Sequence, residues 1–135
     1  MLRPVSEMEK RFTDTLLTYE GCIYKLGKNS RYESDCSGSV CSALSAALGK
    51  NIRVTADDLY RKYFTKPYAG GIHAAFFLDN NGKAVHVAGG LYGKLFMNVS
   101  SIEQEKRGHI RNLDELAAMY PDFKLVLRSF QKEED

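Results

Sequence analysis

Residues able to do covalent chemistry are few in this chain of 135, and one cysteine stands out among them. Cys36 lies in Asp35-Cys36-Ser37-Gly38, directly ahead of a run from Ser39 to Leu48 that reads as a helix closed by Gly49. A thiol at a helix N-terminus sits near unpaired backbone N–H groups and the positive end of the macrodipole. Both favour thiolate over thiol, so Cys36 is expected to be a nucleophile near neutral pH. Such a nucleophile needs a base, a polar group that fixes the base, and an oxyanion donor. Three histidines are available as bases. His109, within Lys106-Arg107-Gly108-His109, reads as a solvated loop residue, which leaves His73 and His86. The other two cysteines, Cys22 and Cys41, read as small buried hydrophobes. Three cysteines without ligand spacing imply neither a disulfide framework nor zinc, so no metal and no cofactor is expected.

The elements that must hold these groups follow from periodicity. Ser6 and Glu9 form a capping-box pattern, followed by Met8, Phe12, Leu16 and Tyr19 at helical spacing until Gly21. A polar loop from Gly27 to Ser34 leads into the cysteine. The second helix buries Val40, Cys41, Leu44 and Leu48, and Thr55 with Asp58 caps a short third helix reaching about Tyr63. From Ile72 the pattern turns to strands: His73 to Leu78, then a turn at Asp79-Asn80-Asn81-Gly82. Ala84 to Ala88, Gly90 to Tyr92 and Leu95 to Val99 follow, broken at Gly89 and at Gly93-Lys94. Gly89 and Gly90 mark a bulge or a close backbone approach. Asn112 with Glu115 caps a helix ending before Pro121. Leu125 to Phe130 closes as a strand, with a polar tail from Gln131 to Asp135. Helices first and a mostly antiparallel sheet after them predict an α+β fold in one domain over residues 1–135.

Bulk properties exclude other classes. A net charge of +2, with lysines and arginines scattered, gives no footprint for nucleic acid. No apolar run approaches the roughly 20 residues that span a bilayer, and Met1 to Arg11 lacks the apolar core of a signal peptide. A soluble chain is expected, with no visible route of export.

The order of these features resembles the NlpC-type cell-wall endopeptidases, a papain-like cysteine peptidase family. Tyr24-Lys25-Leu26-Gly27 is similar to the family's tyrosine–glycine segment, twelve residues ahead of the cysteine. Asp35 to Val40 resembles its nucleophile motif, His86 to Gly93 its histidine strand, and Phe96 to Ser101 the strand bearing its third catalytic residue. The resemblance runs from about residue 6 to 101. Two assignments are open within it: His73 as base with His86 orienting it, or His86 as base with Asn98. The second fits the family in both the cysteine–histidine separation and the step to Asn98. The first shortens that separation by about a dozen residues. Neighbouring antiparallel strands can also bring His86 and Asn98 onto one face. There Asn98 Oδ1 would hold the imidazole tautomer without adding charge, where many relatives carry histidine.

The resemblance implies a papain-like fold, with N-terminal helices packed on a mostly antiparallel sheet. It implies hydrolysis of an amide in peptidoglycan stem peptides, of the γ-D-glutamyl to diamino-acid type, by Cys36, His86 and Asn98. Tyr24 would serve as an oxyanion donor beside the Cys36 N–H. Asp35 and Ser37 would bind the substrate's free amine, with helix capping as their structural alternative. Murein peptide is the implied partner, and an inhibitor or immunity protein would suit a toxin. The rival expectations are an amidase effector or phage lysis or tail protein cutting another wall amide, and a non-catalytic binding module on the same fold. A phage-borne, separately exported or cytoplasmic recycling enzyme fits equally.

Overall fold

A computed structural model describes residues 6–30 and 32–131; parts of the N-terminal and tail segments read above lie outside them. Helix α1 spans Glu7–Leu17, with Ser6 Oγ accepting from the Glu9 N–H at 3.1 Å. It stops at Leu17 rather than near Gly21, and the Thr18 hydroxyl caps the Thr15 carbonyl at 2.6 Å. Two short strands, β1 (Ile23–Tyr24) and β2 (Glu33–Ser34), pair in parallel just ahead of α2 (Cys36–Leu48). Gly49 ends α2 in the left-handed region, φ +69°. Thr55 caps a single turn, α3 (Ala56–Asp58), which runs on into a π-helical turn over Leu59–Tyr63.

The main sheet follows: β3 (Lys66–Pro67), β4 (His73–Leu78), β5 (Ala84–Gly90), β6 (Leu95–Asn98), β7 (His109–Asn112), then α4 (Leu113–Met119) and β8 (Lys124–Ser129). Its order is β3-β8-β4-β5-β6-β7, and every neighbouring pair is antiparallel. The fold is α+β. Helices α1 and α2 pack on one face, where Phe12, Leu16, Val40 and Leu44 meet Phe76, Val87 and Met97. The opposite face carries Ala75, Phe77, Ala88 and Phe96, covered by Leu116 of α4 and by Tyr120.

Three differences from the sequence reading concern the site. Strand β5 runs unbroken through Gly89. A Cβ at Gly89 would stand 2.4 Å from Leu16 of α1, and one at Gly90 2.2 Å from the His73 ring. Both glycines are therefore close approaches; the irregularity in β5 lies earlier. Phe77 pairs with His86 but Leu78 with Ala84, so Val85 is the extra residue of a bulge just before His86. Lastly, His109 is a half-buried residue opening β7, paired with Asn98, and not part of a solvated loop. Strand β7 lies in a segment too charged to show a two-residue period.

Candidate active site

Cys36 is the first residue of α2, and its neighbours in sequence build the corner that holds it. Asp35 is the N-cap: its Oδ1 accepts from the Gly38 N–H at 2.6 Å. Its Oδ2 accepts from the Gly27 N–H at 2.8 Å, which pins the loop after Tyr24 against the helix start. Gly38 is required by the same corner, since a Cβ there would fall 2.3 Å from the Lys28 carbonyl oxygen. Arg53 closes on Asp35 with Nη2 at 3.1 Å from both carboxylate oxygens, and its Nη1 donates to Ser37 Oγ at 3.2 Å. Asp35 and Ser37 are thus already bonded, to the helix start and to Arg53.

Cys36 borders a groove of about 850 Å³, lined also by Tyr24, Asp35, Ser37 and Arg53. Burial is the largest influence on its thiol, which is pushed up to about 11. The N–H groups of Val87, Ser37 and Cys36 itself act in the other direction, and the Asp35 carboxylate adds to the rise. This reverses the expectation of a ready thiolate. A helix terminus contributes about 1 kcal/mol at most in ordinary settings, less than one pKa unit, and desolvation outweighs it here. The Val87 influence places the sulfur beside β5, next to the residue that follows His86.

His86 lies on the face of the sheet that α4 covers. Its ring stacks on Tyr120, centroids 4.7 Å apart, and sits 5.3 Å from the Phe77 ring. Its Nε2 is 2.7 Å from Asn98 Oδ1. The Asn98 amide nitrogen in turn donates to Glu103 Oε2 at 2.8 Å and to the Tyr120 hydroxyl at 3.2 Å. A carboxylate only accepts, so the amide nitrogen faces Glu103 and the oxygen faces His86. Nε2 therefore carries the imidazole proton, and Nδ1 is the free acceptor. Burial holds this histidine down to about 4, against a raising influence from Asn98 and the Glu103 carboxylate.

The other histidines are held differently. His73 Nδ1 donates to the Gly71 carbonyl at 2.7 Å, and its buried Nε2 has no partner among the described residues. Its ring stands edge-on to Tyr68 and Phe96, and burial lowers its pKa. His109 Nε2 is 3.1 Å from the Gln104 carbonyl. Tyr24 lies half-buried on the groove, its phenol raised by burial and then by Cys36 and Asp35. Cys22 and Cys41 are buried free thiols, Cys41 3.4 Å from the Val54 carbonyl. No group of three or more potential metal-ligating side chains occurs among the described residues.

Sequence reasoning missed Arg53, Glu103, Arg111 and Tyr120. Only Tyr120 stood near a recognisable signal, at the end of a capped helix. Glu103 sits in a segment without period, and its role is set by a partner on another strand.

No family model and no curated relative matches the sequence. Solved structures do match in fold. NlpC1 from Trichomonas vaginalis is 21% identical with a TM-score of 0.68, covering 98% of this chain and 47% of its own. An NLP/P60-family protein similar to lipoprotein from Staphylococcus aureus is 22% identical, TM-score 0.72, covering 98% and 44%. The NlpC/p60 domain of the peptidoglycan hydrolase SagA is 18% identical, TM-score 0.64, covering 90% and 97%. The chain spans about half the length of the first two and has the fold of all three.

Proposed function

We propose that this chain is an NlpC-type cysteine peptidase or amidase that hydrolyses an amide in peptidoglycan stem peptides, of the γ-D-glutamyl to diamino-acid type. The observation that carries the proposal is the His86–Asn98 bond at 2.7 Å, with Cys36 at a helix start beside Val87. Resting thiol and imidazole are both neutral, so deprotonation accompanies attack. As the C–S bond forms, the Cys36 proton moves to His86 Nδ1 and the carbonyl electrons move to oxygen. The Cys36 N–H, first in its helix and without an intrahelical acceptor, and the Tyr24 hydroxyl would receive that oxyanion. His86 then gives its proton to the leaving nitrogen as the C–N bond breaks. A water, losing a proton to His86, attacks the thioester; the C–S bond breaks and the thiol regains its proton.

Asp35 and Ser37 would meet the substrate at the groove's edge. An incoming ammonium reaches Asp35 only by displacing Arg53, which makes Arg53 part of that edge. The test is to incubate purified peptidoglycan with the wild-type protein and with Cys36→Ala, and to weigh the fragments by mass spectrometry. New muropeptides from the wild type alone are expected. Identical profiles on the natural wall would sink the reading.

A further inference from the structure

The polar chain behind His86 does not end at Asn98. Glu103 follows β6 on a turn, its N–H donating to the Ser100 carbonyl at 3.3 Å, and its side chain has 0% exposure. Enclosing a carboxylate costs several kcal/mol unless it is paired and bonded. Here every contact is supplied. Arg111 of β7 donates Nη2 to Oε1 at 2.6 Å and Nε to Oε2 at 3.1 Å, and Oε2 also receives the Asn98 amide. The second acceptor for Asn98, the Tyr120 hydroxyl, spends its own proton on Ser100 Oγ at 2.8 Å. Both acceptors are therefore oriented to take N–H groups from Asn98.

We propose that Glu103 is a positioning residue for the His86–Asn98 pair: it fixes the carboxamide with its oxygen toward His86 and sets a negative charge behind a neutral spacer. Turning the amide over would bring its carbonyl against a carboxylate, with His86 left facing an N–H. The wrong imidazole tautomer would follow, its proton on Nδ1, where the thiol proton must go. The charge matters as well. An asparagine cannot itself compensate an imidazolium, and the carboxylate that acts on His86 is Glu103, which favours the protonated ring. The other titratable group against the ring is Tyr120 after α4, on which Cys36 of α2 also acts; behind Glu103 stand Arg111, Glu115 and His109.

This inference rests on the catalytic reading, yet its decisive test does not need turnover. In the Cys36→Ala protein, imidazole nitrogen NMR should show His86 as the Nε2–H tautomer, with His73 as the internal reference. Glu103→Gln should lower the His86 titration midpoint, and Glu103→Ala should mix its tautomers, both leaving His73 unmoved. If Glu103→Gln fails to fold, Glu103→Gln with Arg111→Met replaces the ion pair by a neutral one, a change folds often tolerate. A smaller downward shift is expected there, because the opposing Arg111 cation is removed with the carboxylate. An unchanged tautomer and midpoint in a folded variant would overturn the proposal, as would an upward shift, the sign of a site merely loosened and hydrated. With Cys36 present, Glu103→Gln should lower kcat roughly 10- to 100-fold, the order seen when the carboxylate behind a metal-bound histidine is removed, with KM little changed. Failure of the parent protein to cut peptidoglycan would count against the catalytic reading alone, leaving the NMR result standing.

Discussion

Burial pulls Cys36 and His86 in opposite directions, one up to about 11 and the other down to about 4, and both movements favour the uncharged form. The free protein therefore rests as thiol and imidazole across the whole neutral range. Iodoacetamide alkylation of native Cys36 should rise with pH beyond pH 9; a plateau below pH 7 would reveal a preformed ion pair instead. The proposed mechanism requires the neutral ring, so kcat/KM should fall on the acid side only as pH approaches about 4. The two histidine assignments separate at this scale too. His86→Ala should cost about 10²- to 10⁴-fold in kcat, the usual worth of a positioned general base. His73→Ala should keep most of the activity while lowering stability, because its ring is packed under Gly90 and bonded only to a main-chain carbonyl. The reverse pattern would transfer the catalytic role to His73.

At the level of elements, the corner before α2 is held by a tight set of backbone contacts. Asp35 caps the helix, Gly27 reaches the same carboxylate, and the Asp35 N–H donates to Lys28 O at 3.0 Å. Gly38→Ala would force the Lys28 carbonyl away, costing about 1–3 kcal/mol, readable as a lower melting temperature. Retained stability would mean that the loop yields freely. Strand β5 is aimed at its start: Asp57 Oδ1 accepts from the Ala84 N–H at 3.0 Å, and the bulge at Val85 follows before His86. Local sequence signals captured much of this. Ser6, Asp35, Thr55 and Asn112 all cap helices, and the apolar runs of β4 and β8 are strands. The bulge and β7 escaped notice because each is defined by its partner strand, and a charged edge strand has no pattern of its own.

Across the whole molecule, one sheet is buried on both faces, with Phe76 under the N-terminal helices and Phe77 under α4. Phe76→Ala should cost about 3–5 kcal/mol in chemical denaturation. Stability should also have a pH dome. His86 is held down from 6.5 to about 4, so the unfolded chain binds the extra proton in that window and stability falls as pH drops through it. Cys36 is held up from 9.0 to about 11, so stability falls again as pH rises through that second window. Urea midpoints that stay flat from pH 6.5 to 4 would contradict the burial of His86. The general architecture was legible because helices preceding strands leave few arrangements. The charges behind the site were not: Arg53 meets Asp35 and Arg111 meets Glu103 only through the completed fold.

The stack of bonds from His86 through Asn98 and Glu103 to Arg111, with Tyr120 laid across it, also has a bearing on timing. These groups come from β5, β6, the turn after it, β7 and the end of α4, while Cys36, the proposed nucleophile, starts α2. A chain still emerging from the ribosome holds Cys36 long before Tyr120 exists to stack on the imidazole. Until that late segment docks, the thiol has no fixed base to use. On the proposed mechanism, chemical competence arrives at the end of folding, and a half-made copy carries an ordinary cysteine.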